Sequence, residues 1–527
     1  MTAPTETTAS GLTHKQIMVI FSGLMLGMLL AALDQTIVST ALPTIVGDLH
    51  GLDHISWVVT AYLLTSTASA PLYGKLSDLY GRRPIFQAAI SIFLVGSALS
   101  GISQSMGQLI AFRAIQGLGA GGLMTLALTI VGDVVSPRER GRYQGYFGGV
   151  FAIASVGGPL LGGFFVDNLT WRWVFYINIP LGLIALVVTS AVLKLPFHRR
   201  EHAVDYVGAG LMVGGVSALL LVTVWGGSQY AWTSGTILGL AAVGLLLSVA
   251  FMWWETRVPE PILPPYLFGL GVFRVSTSVI FVVGFALFGT IIYLSVYLQI
   301  FHNVSPTKSG LLLTPLMGGI LSASIISGRL VSKSGRIRVF PIVGTASLTI
   351  GMLLLAHLQA DTSLALAALY MLVTGAGVGM VMQNLTLAVQ NAVPRTEMGA
   401  ATSSVSFFRS LGGSFGTAVF GAILFHQLDA NLASRLPADG RPKGDLHALI
   451  QSPTVIRNLP DAIRTPVVSS FMDALHVVFY AGAGVCAVAF VISLMLKEST
   501  LRTTSAMSPA ASEPGAEPAM TSAAAFE

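Results

Sequence analysis

Charge is what this sequence has least of: Asp, Glu, Lys and Arg make up only 10% of its 527 residues, against roughly 25% in soluble domains. An ordinary soluble enzyme is thereby excluded. Cysteine is nearly absent as well. The single Cys486 sits in an apolar stretch, which excludes a disulfide framework and a cysteine metal site. No run of His, Cys, Asp or Glu has metal-ligand spacing, and no cofactor is expected. The chain also lacks GxxxxGK[ST], so ATP-driven transport has no phosphate cradle to work with. The small excess of 28 Lys+Arg over 23 Asp+Glu forms no nucleic-acid patch and reads as loop topology.

What is present in abundance is apolar sequence, 53% of residues, with a mean hydropathy of +0.76. A bilayer crossing takes about 20 apolar residues, so fourteen crossings would use roughly 280, close to the whole apolar content. Apolar runs between charged or Gly/Pro-rich breaks place spans near 15–41, 54–74, 84–102, 108–130, 141–163, 172–194, 205–225, 233–254, 273–300, 309–330, 338–357, 363–388, 401–425 and 473–496. The first run is too long for a signal-peptide core and is kept as a span. Lys and Arg then set the orientation, because they concentrate in cytoplasmic loops. With both termini inside, the short outer loops keep only Arg172 and Lys308, while Lys75, Arg82, Arg83, Arg138, Arg140, Arg142, Arg329, Lys333, Arg336 and Arg338 fall inside.

An internal repeat organises the spans. Gly74-Lys-Leu-Ser-Asp-Leu-Tyr-Gly81-Arg82 after span two is echoed by Gly328-Arg-Leu-Val-Ser-Lys-Ser-Gly335-Arg336 after span ten. Likewise Gly117-x-Gly119-x-Gly121 in span four is echoed by Gly375-x-Gly377-x-Gly379 in span twelve. Two parallel halves follow, with a site expected at their interface. The expected fold is an all-α integral membrane protein with a disordered tail (1–14), a six-helix bundle (15–196), two inserted helices (197–258), a second six-helix bundle (259–497) carrying a long outer loop (426–472), and a disordered tail (498–527).

Five segments carry a family resemblance. Gly74 to Arg83 resembles the cytoplasmic signature of the major facilitator superfamily, and Arg113 with Gln116-Gly117-Leu118-Gly119 resembles its fourth-span motif. Ala154-x-x-x-Gly158-Pro159-x-x-Gly162-Gly163 is similar to the fifth-span antiporter motif. Leu33 to Val38, running on to Pro43, and Trp171 to Pro180 are similar to segments of the fourteen-span drug:proton antiporter branch, the EmrB/QacA type. The resemblance implies a bacterial inner-membrane exporter of the major facilitator fold, with protons and a small molecule as its partners in the bilayer.

Within that frame Asp34 is the one acid deep in a span. An Asp at a helix centre costs about 2.5–3.5 kcal/mol to insert, so a reversible proton site is expected there, with helix packing or wetting from outside as the plainer readings. Arg113 is equally costly and stays charged; it is expected to tune a carboxylate or to bond open carbonyls. The sequence leaves open whether the two touch. Arg409 in span thirteen is expected to snorkel to the inner surface.

Asp78 is expected to receive helix N-terminal amides and Arg82 and Arg83 to pair with Asp133, closing a cytoplasmic latch that includes Gly74 and Gly81. Gly158, Pro159, Gly162 and Gly163 are expected to allow close helix packing. Candidates for an apolar substrate cavity with a few polar groups are Gln35, Tyr62, Tyr146, Asn178, Tyr293, Tyr297, Gln383, Asn384 and Phe408. The expected function is proton-coupled efflux of lipophilic or cationic drugs. Export of a lipid, glycolipid or endogenous metabolite is the alternative, the outer loop then guiding a lipid or docking an envelope accessory protein. A membrane-embedded lipid-modifying enzyme would need a cluster of His, Asp or Glu at one bilayer face, and none occurs outside the latch.

Overall fold

The computed structural model describes residues 14–49, 55–135, 137–193, 205–227, 229–435, 460–498 and 501. Its helices are α1 (His14–Leu49), α2 (Ile55–Tyr80), α3 (Arg82–Ile102), α4 (Met106–Val134), α5 (Pro137–Asn168), the short α6 (Trp173–Tyr176), α7 (Asn178–Val192), α8 (Tyr206–Trp225) and α9 (Gly235–Glu255). They continue with α10 (Gly271–Phe301), the short α11 (Pro306–Leu312), α12 (Thr314–Ser334), α13 (Val339–Leu355), α14 (Leu364–Ala392), α15 (Met398–Arg435) and α16 (Asp461–Leu494). Among the described residues, 12 helices are long and apolar enough to cross a membrane, with Val339–Leu355 as a shorter apolar one. The helix Ile55–Tyr80 falls outside that set. It is rich in Ser and Thr whose hydroxyls bond back to their own helix, as Thr65 does to the Ala61 carbonyl (2.9 Å). Helices are the required solution here, because lipid offers no partner for a backbone amide or carbonyl.

One apolar core gathers Phe21, Phe86, Phe93, Leu123 and Leu126 from α1, α3 and α4. Another gathers Phe273, Phe285, Phe420 and Phe471 from α10, α15 and α16. The hairpin α8–α9 joins the second core through Met212, Val216, Leu220 and Phe251. The rest of α9 presents Leu238, Val243, Leu245, Leu246 and Val249 outward, a face suited only to acyl chains.

The sequence repeat is also a packing repeat. A methyl group on Gly117 or Gly121 would lie 2.4 Å from the Tyr62 carbonyl or 2.3 Å from that of Ser66, both on α2, while one on Gly119 would meet Phe93 N of α3 at 2.4 Å. In the second half Gly375 and Gly379 meet the carbonyls of Leu316 and Ile320 on α12, and Gly377 meets Leu348 N of α13 at 2.5 Å. The alternation makes α4 and α14 equivalent central helices, each wedged between two neighbours at backbone contact. Gly81 and Gly335, at matching points of the repeat, both hold a positive φ (95° and 72°), the turn that a Cβ would strain.

The outer segment differs from expectation. Residues 426–435 and 461–472, expected in a long loop, extend α15 and α16, with Leu428, Leu432, Val467 and Phe471 buried and Arg435 paired to Asp473 (2.5 Å). The remainder of that loop, 436–459, and most of both expected tails lie outside the described residues.

Near the connection from α9 to α10, Asp205 caps α8 through Gly208 N (2.9 Å) and accepts from Trp254 Nε1 (3.0 Å), while Glu255 accepts from Leu263 N (2.9 Å). Their remaining oxygens, Asp205 Oδ2 and Glu255 Oε1, are buried without a hydrogen bond and converge on the space above Gly208. Two carboxylates so placed repel, and a carboxamide would donate across the gap. Glu255→Gln is therefore expected to stabilise the protein by about 1 kcal/mol, read as a higher melting temperature in detergent; a lower one would show that the charge itself is needed.

Candidate transport site

Asp34 sits on α1 with no exposed surface and receives three hydrogen bonds. Arg113 Nη1 donates to Oδ2 (2.5 Å), and Gln116 Nε2 (2.7 Å) and Asn178 Nδ2 (3.1 Å) donate to Oδ1. The same Arg113 nitrogen donates to Gln116 Oε1 (2.7 Å), and Arg113 Nε reaches the Val58 carbonyl of α2 (3.3 Å). Spacing explains the triangle, since residues three apart share a helix face and Arg113 and Gln116 are so related on α4. The guanidinium lies over the Tyr62 ring, 4.2 Å from its centroid, and Tyr62 Oη donates to the Ala31 carbonyl (3.2 Å). Ser97 on α3 closes the shell by accepting from Asn178 (3.0 Å). Asp34, Arg113, Gln116, Asn178, Tyr62 and Ser97 are all buried.

Such a pair is energetically committed. Removing one partner of a buried ion pair costs about 3–5 kcal/mol, because the survivor is left as a bare charge in low dielectric. The network lies nearer one end of the first half than its middle: Arg113 is two turns into α4 and Val58 one turn into α2. Asp78 occupies the far end of α2, roughly 30 Å away at 1.5 Å per residue.

At that far end Arg82 joins Asp78 (2.5 Å) and Asp133 (2.7 Å). Arg83 does not take part and instead donates to the Ser190 carbonyl (2.8 Å). The Asp78 carboxylate also accepts from Gly399 N (3.3 Å) and Ala400 N (3.1 Å), the first amides of α15 in the other half. A carboxylate on a helix N-terminus is favourable in both hydrogen bonding and dipole. The halves touch backbone to backbone beside it: a Cβ on Gly74 would stand 2.6 Å from the Gly399 carbonyl, and one on Gly399 would stand 2.5 Å from the Gly74 carbonyl. Gln390 Nε2 adds a bond to the Leu128 carbonyl (3.2 Å) across the same seam.

The fifth-span glycines divide. A Cβ on Gly158 would lie 2.0 Å from Thr36 Oγ1, and Gly162 faces the Ile37 carbonyl at 2.9 Å, so α5 packs on α1 one turn beyond Asp34. Pro159 approaches Gly310. Gly163 has nothing within 4 Å, and close packing is not its role.

The cavity candidates divide too. Tyr62 and Asn178 belong to the Asp34 network, and Gln35 lies beside the Tyr62 hydroxyl. Tyr293 donates to the Thr417 carbonyl and Tyr297 to that of Gln359, and Asn384 donates to Ser327 Oγ and the Met380 carbonyl, all inside the second half. Tyr146 is exposed, and Phe408 packs on Phe268 and Phe407. Gln383 lines a cavity between the halves, with Met28, Leu128 and Phe151 on one side and Ile280, Met382, Thr386, Val405, Ser406 and Arg409 on the other. Arg409 thus corrects the snorkelling expectation, since it lines an interface cavity. Sequence reasoning passed over the Asp34 contacts of Gln116 and the part of Ser97. The Arg113/Gln116 spacing was the available signal for the first; Ser97 offered none.

Two helical halves with one internal order, joined at a seam and built from membrane-length helices, define a multi-pass membrane transporter and not an enzyme. The chain belongs to the Major Facilitator Superfamily, whose family model matches residues 24–417. It is 41% identical over 502 residues to an uncharacterized MFS-type transporter of Mycobacterium tuberculosis, covering 95% of this chain and 72% of that one. It is 40% identical over 502 residues to the multidrug transporter protein MdtP of Bacillus subtilis, covering 91% and 92%. Its fold resembles that of the proton:xylose symporter XylE with a TM-score of 0.63 at 13% identity, over 94% of this chain and 98% of that one.

Proposed function

We propose that the chain is a drug exporter of the fourteen-span EmrB/QacA branch, exchanging protons for small molecules across a bacterial inner membrane with both termini in the cytoplasm. Two further helices, Ile55–Tyr80 and Val339–Leu355, join the twelve to make fourteen crossings. MdtP, named as a multidrug transporter, supports the substrate class. One observation carries the proton coupling: Asp34 is a buried carboxylate whose counter-charge, Arg113, is held by groups on α1, α2 and its own helix α4. Protonating Asp34 cancels the attraction and frees Arg113, so α1 and α4 gain freedom to move relative to each other. This is the kind of differential interaction that biases a two-state transporter. The Asp78 end, closed by Gly74, Gly399 and the α15 cap, is the cytoplasmic end on this reading.

The test uses purified protein in liposomes preloaded with acid, where an imposed pH gradient should drive uptake of ethidium into the lumen with loss of lumenal protons. Each proton exchanged across one pH unit supports about a tenfold concentration ratio. Ethidium accumulation that persists unchanged with an uncoupler would overturn the proton coupling.

A further inference from the structure

We propose that Arg409 is an anion subsite of the inter-half cavity, so that the transported molecules include those bearing a carboxylate or similar anionic group. The inference rests on the exporter reading and narrows its substrate class. Arg409 lies on α15 eleven residues beyond Met398, roughly 16 Å along the helix and close to the middle of a core about 30 Å thick. Its guanidinium has no acidic or hydrogen-bonding partner among the described residues, unlike Arg82 and Arg113, which are both paired. Ser406, one turn earlier and lining the same cavity, is 4% exposed and its hydroxyl has no hydrogen-bond partner. The Gln383 side chain faces the same space from α14.

A permanent cation within a membrane-length helix is expensive unless something answers it, and the protein answers Arg113 and Arg82 with carboxylates of its own. Here the polar lining is one charged donor, two hydroxyls (Ser406 and Thr386, the latter donating to the Met382 carbonyl) and one amide, and no carboxylate lines the cavity. That set suits a planar oxyanion, which a guanidinium holds by charge-assisted and often paired hydrogen bonds. The apolar remainder, Met28, Phe151, Ile280 and Met382, suits an aromatic or lipophilic body. In this conformation the cavity is about 20 Å³, room for water or the head of a small anion, so the body of a substrate enters only when the halves part. The lipophilic or cationic drugs expected from the sequence are on this proposal joined by amphipathic anions and zwitterions.

The experiment measures binding, by fluorescence anisotropy with full-length protein in lipid nanodiscs and no gradient, of a rhodamine with a free benzoate and of its methyl ester. Wild type should bind the acid about tenfold more tightly than the ester. R409Q should erase that preference while leaving the ester within about twofold of wild type, and R409K should keep part of it. Should R409Q fail to fold, competition on wild type decides: benzoate should displace the acid dye and benzamide should not. Equal binding of acid and ester by wild type, or an equal loss of both in R409Q, overturns the anion subsite. The exporter reading fails separately, if neither dye nor ethidium is moved by energised liposomes whatever the binding result.

Discussion

Replacing Asp34 by Asn is expected to abolish gradient-driven efflux while the protein still inserts and folds. Asn retains an acceptor for Gln116 or Asn178 but carries no charge, so Arg113 remains as an unanswered cation among Tyr62, Phe175 and the Val58 carbonyl. Two separate effects follow. Transport loses the buried carboxylate at the α1–α4 contact, and the accumulation ratio should fall from about tenfold per proton and pH unit to unity. Stability loses part of the ion pair, up to about 3–5 kcal/mol. The double variant Asp34→Asn with Arg113→Gln separates them, since a neutral pair has no bare charge to bury. Its melting temperature should return most of the way to wild type, while transport remains at unity. Active efflux by Asp34→Asn, or recovery of transport in the double variant, would show that this pair only holds helices together.

The legible parts of the molecule were those where one local cost stands out against the apolar background. Asp34 and Arg113 are conspicuous because ionised groups inside membrane-length runs are costly, and the glycine repeat of α4 and α14 is conspicuous because three small residues on alternate positions need backbone contact on two sides. What the sequence hid depends on distances between helices. Tyr62 and Asn178 read as cavity residues because aromatic and amide side chains in spans suit one, yet packing of α2 and α7 brings them onto Arg113 and Asp34. Arg409 read as a snorkelling residue because the seam between the halves, which places its side chain in a cavity, has no local signature. The extensions of α15 and α16 were masked by the charges around Leu428, Leu432, Val467 and Phe471, whose spacing of four is nevertheless helical. Gly163 shows the opposite error, a motif position with open space around it.

The seam at the Asp78 end makes the second large prediction. A side chain at Gly74 has nowhere to go: its Cβ would stand 2.3 Å from Ser403 Oγ and 2.6 Å from the Gly399 carbonyl, and the second of these is backbone, which does not swing aside. Gly74→Val must therefore separate α2 from α15, and the separation pulls Asp78 off the amides of Gly399 and Ala400. Losing a helix cap costs about 1–2 kcal/mol and overpacking a contact about 1–3 kcal/mol. The closed arrangement should accordingly lose at least tenfold in population relative to the alternative. Turnover is expected to fall about as much, because a cycle that fails to close this end stalls on the return. Hydrogen exchange at the start of α15 should quicken in Gly74→Val and also in Asp78→Asn, whose amide group lacks the charge that favours a helix N-terminus. Gly163→Val supplies the contrast, since a side chain there meets nothing and transport should stay within about twofold of wild type. If Gly163→Val impairs transport as much as Gly74→Val, or if Gly74→Val leaves the α15 amides as protected as before, the Gly74–Gly399 contact does not hold the two halves together.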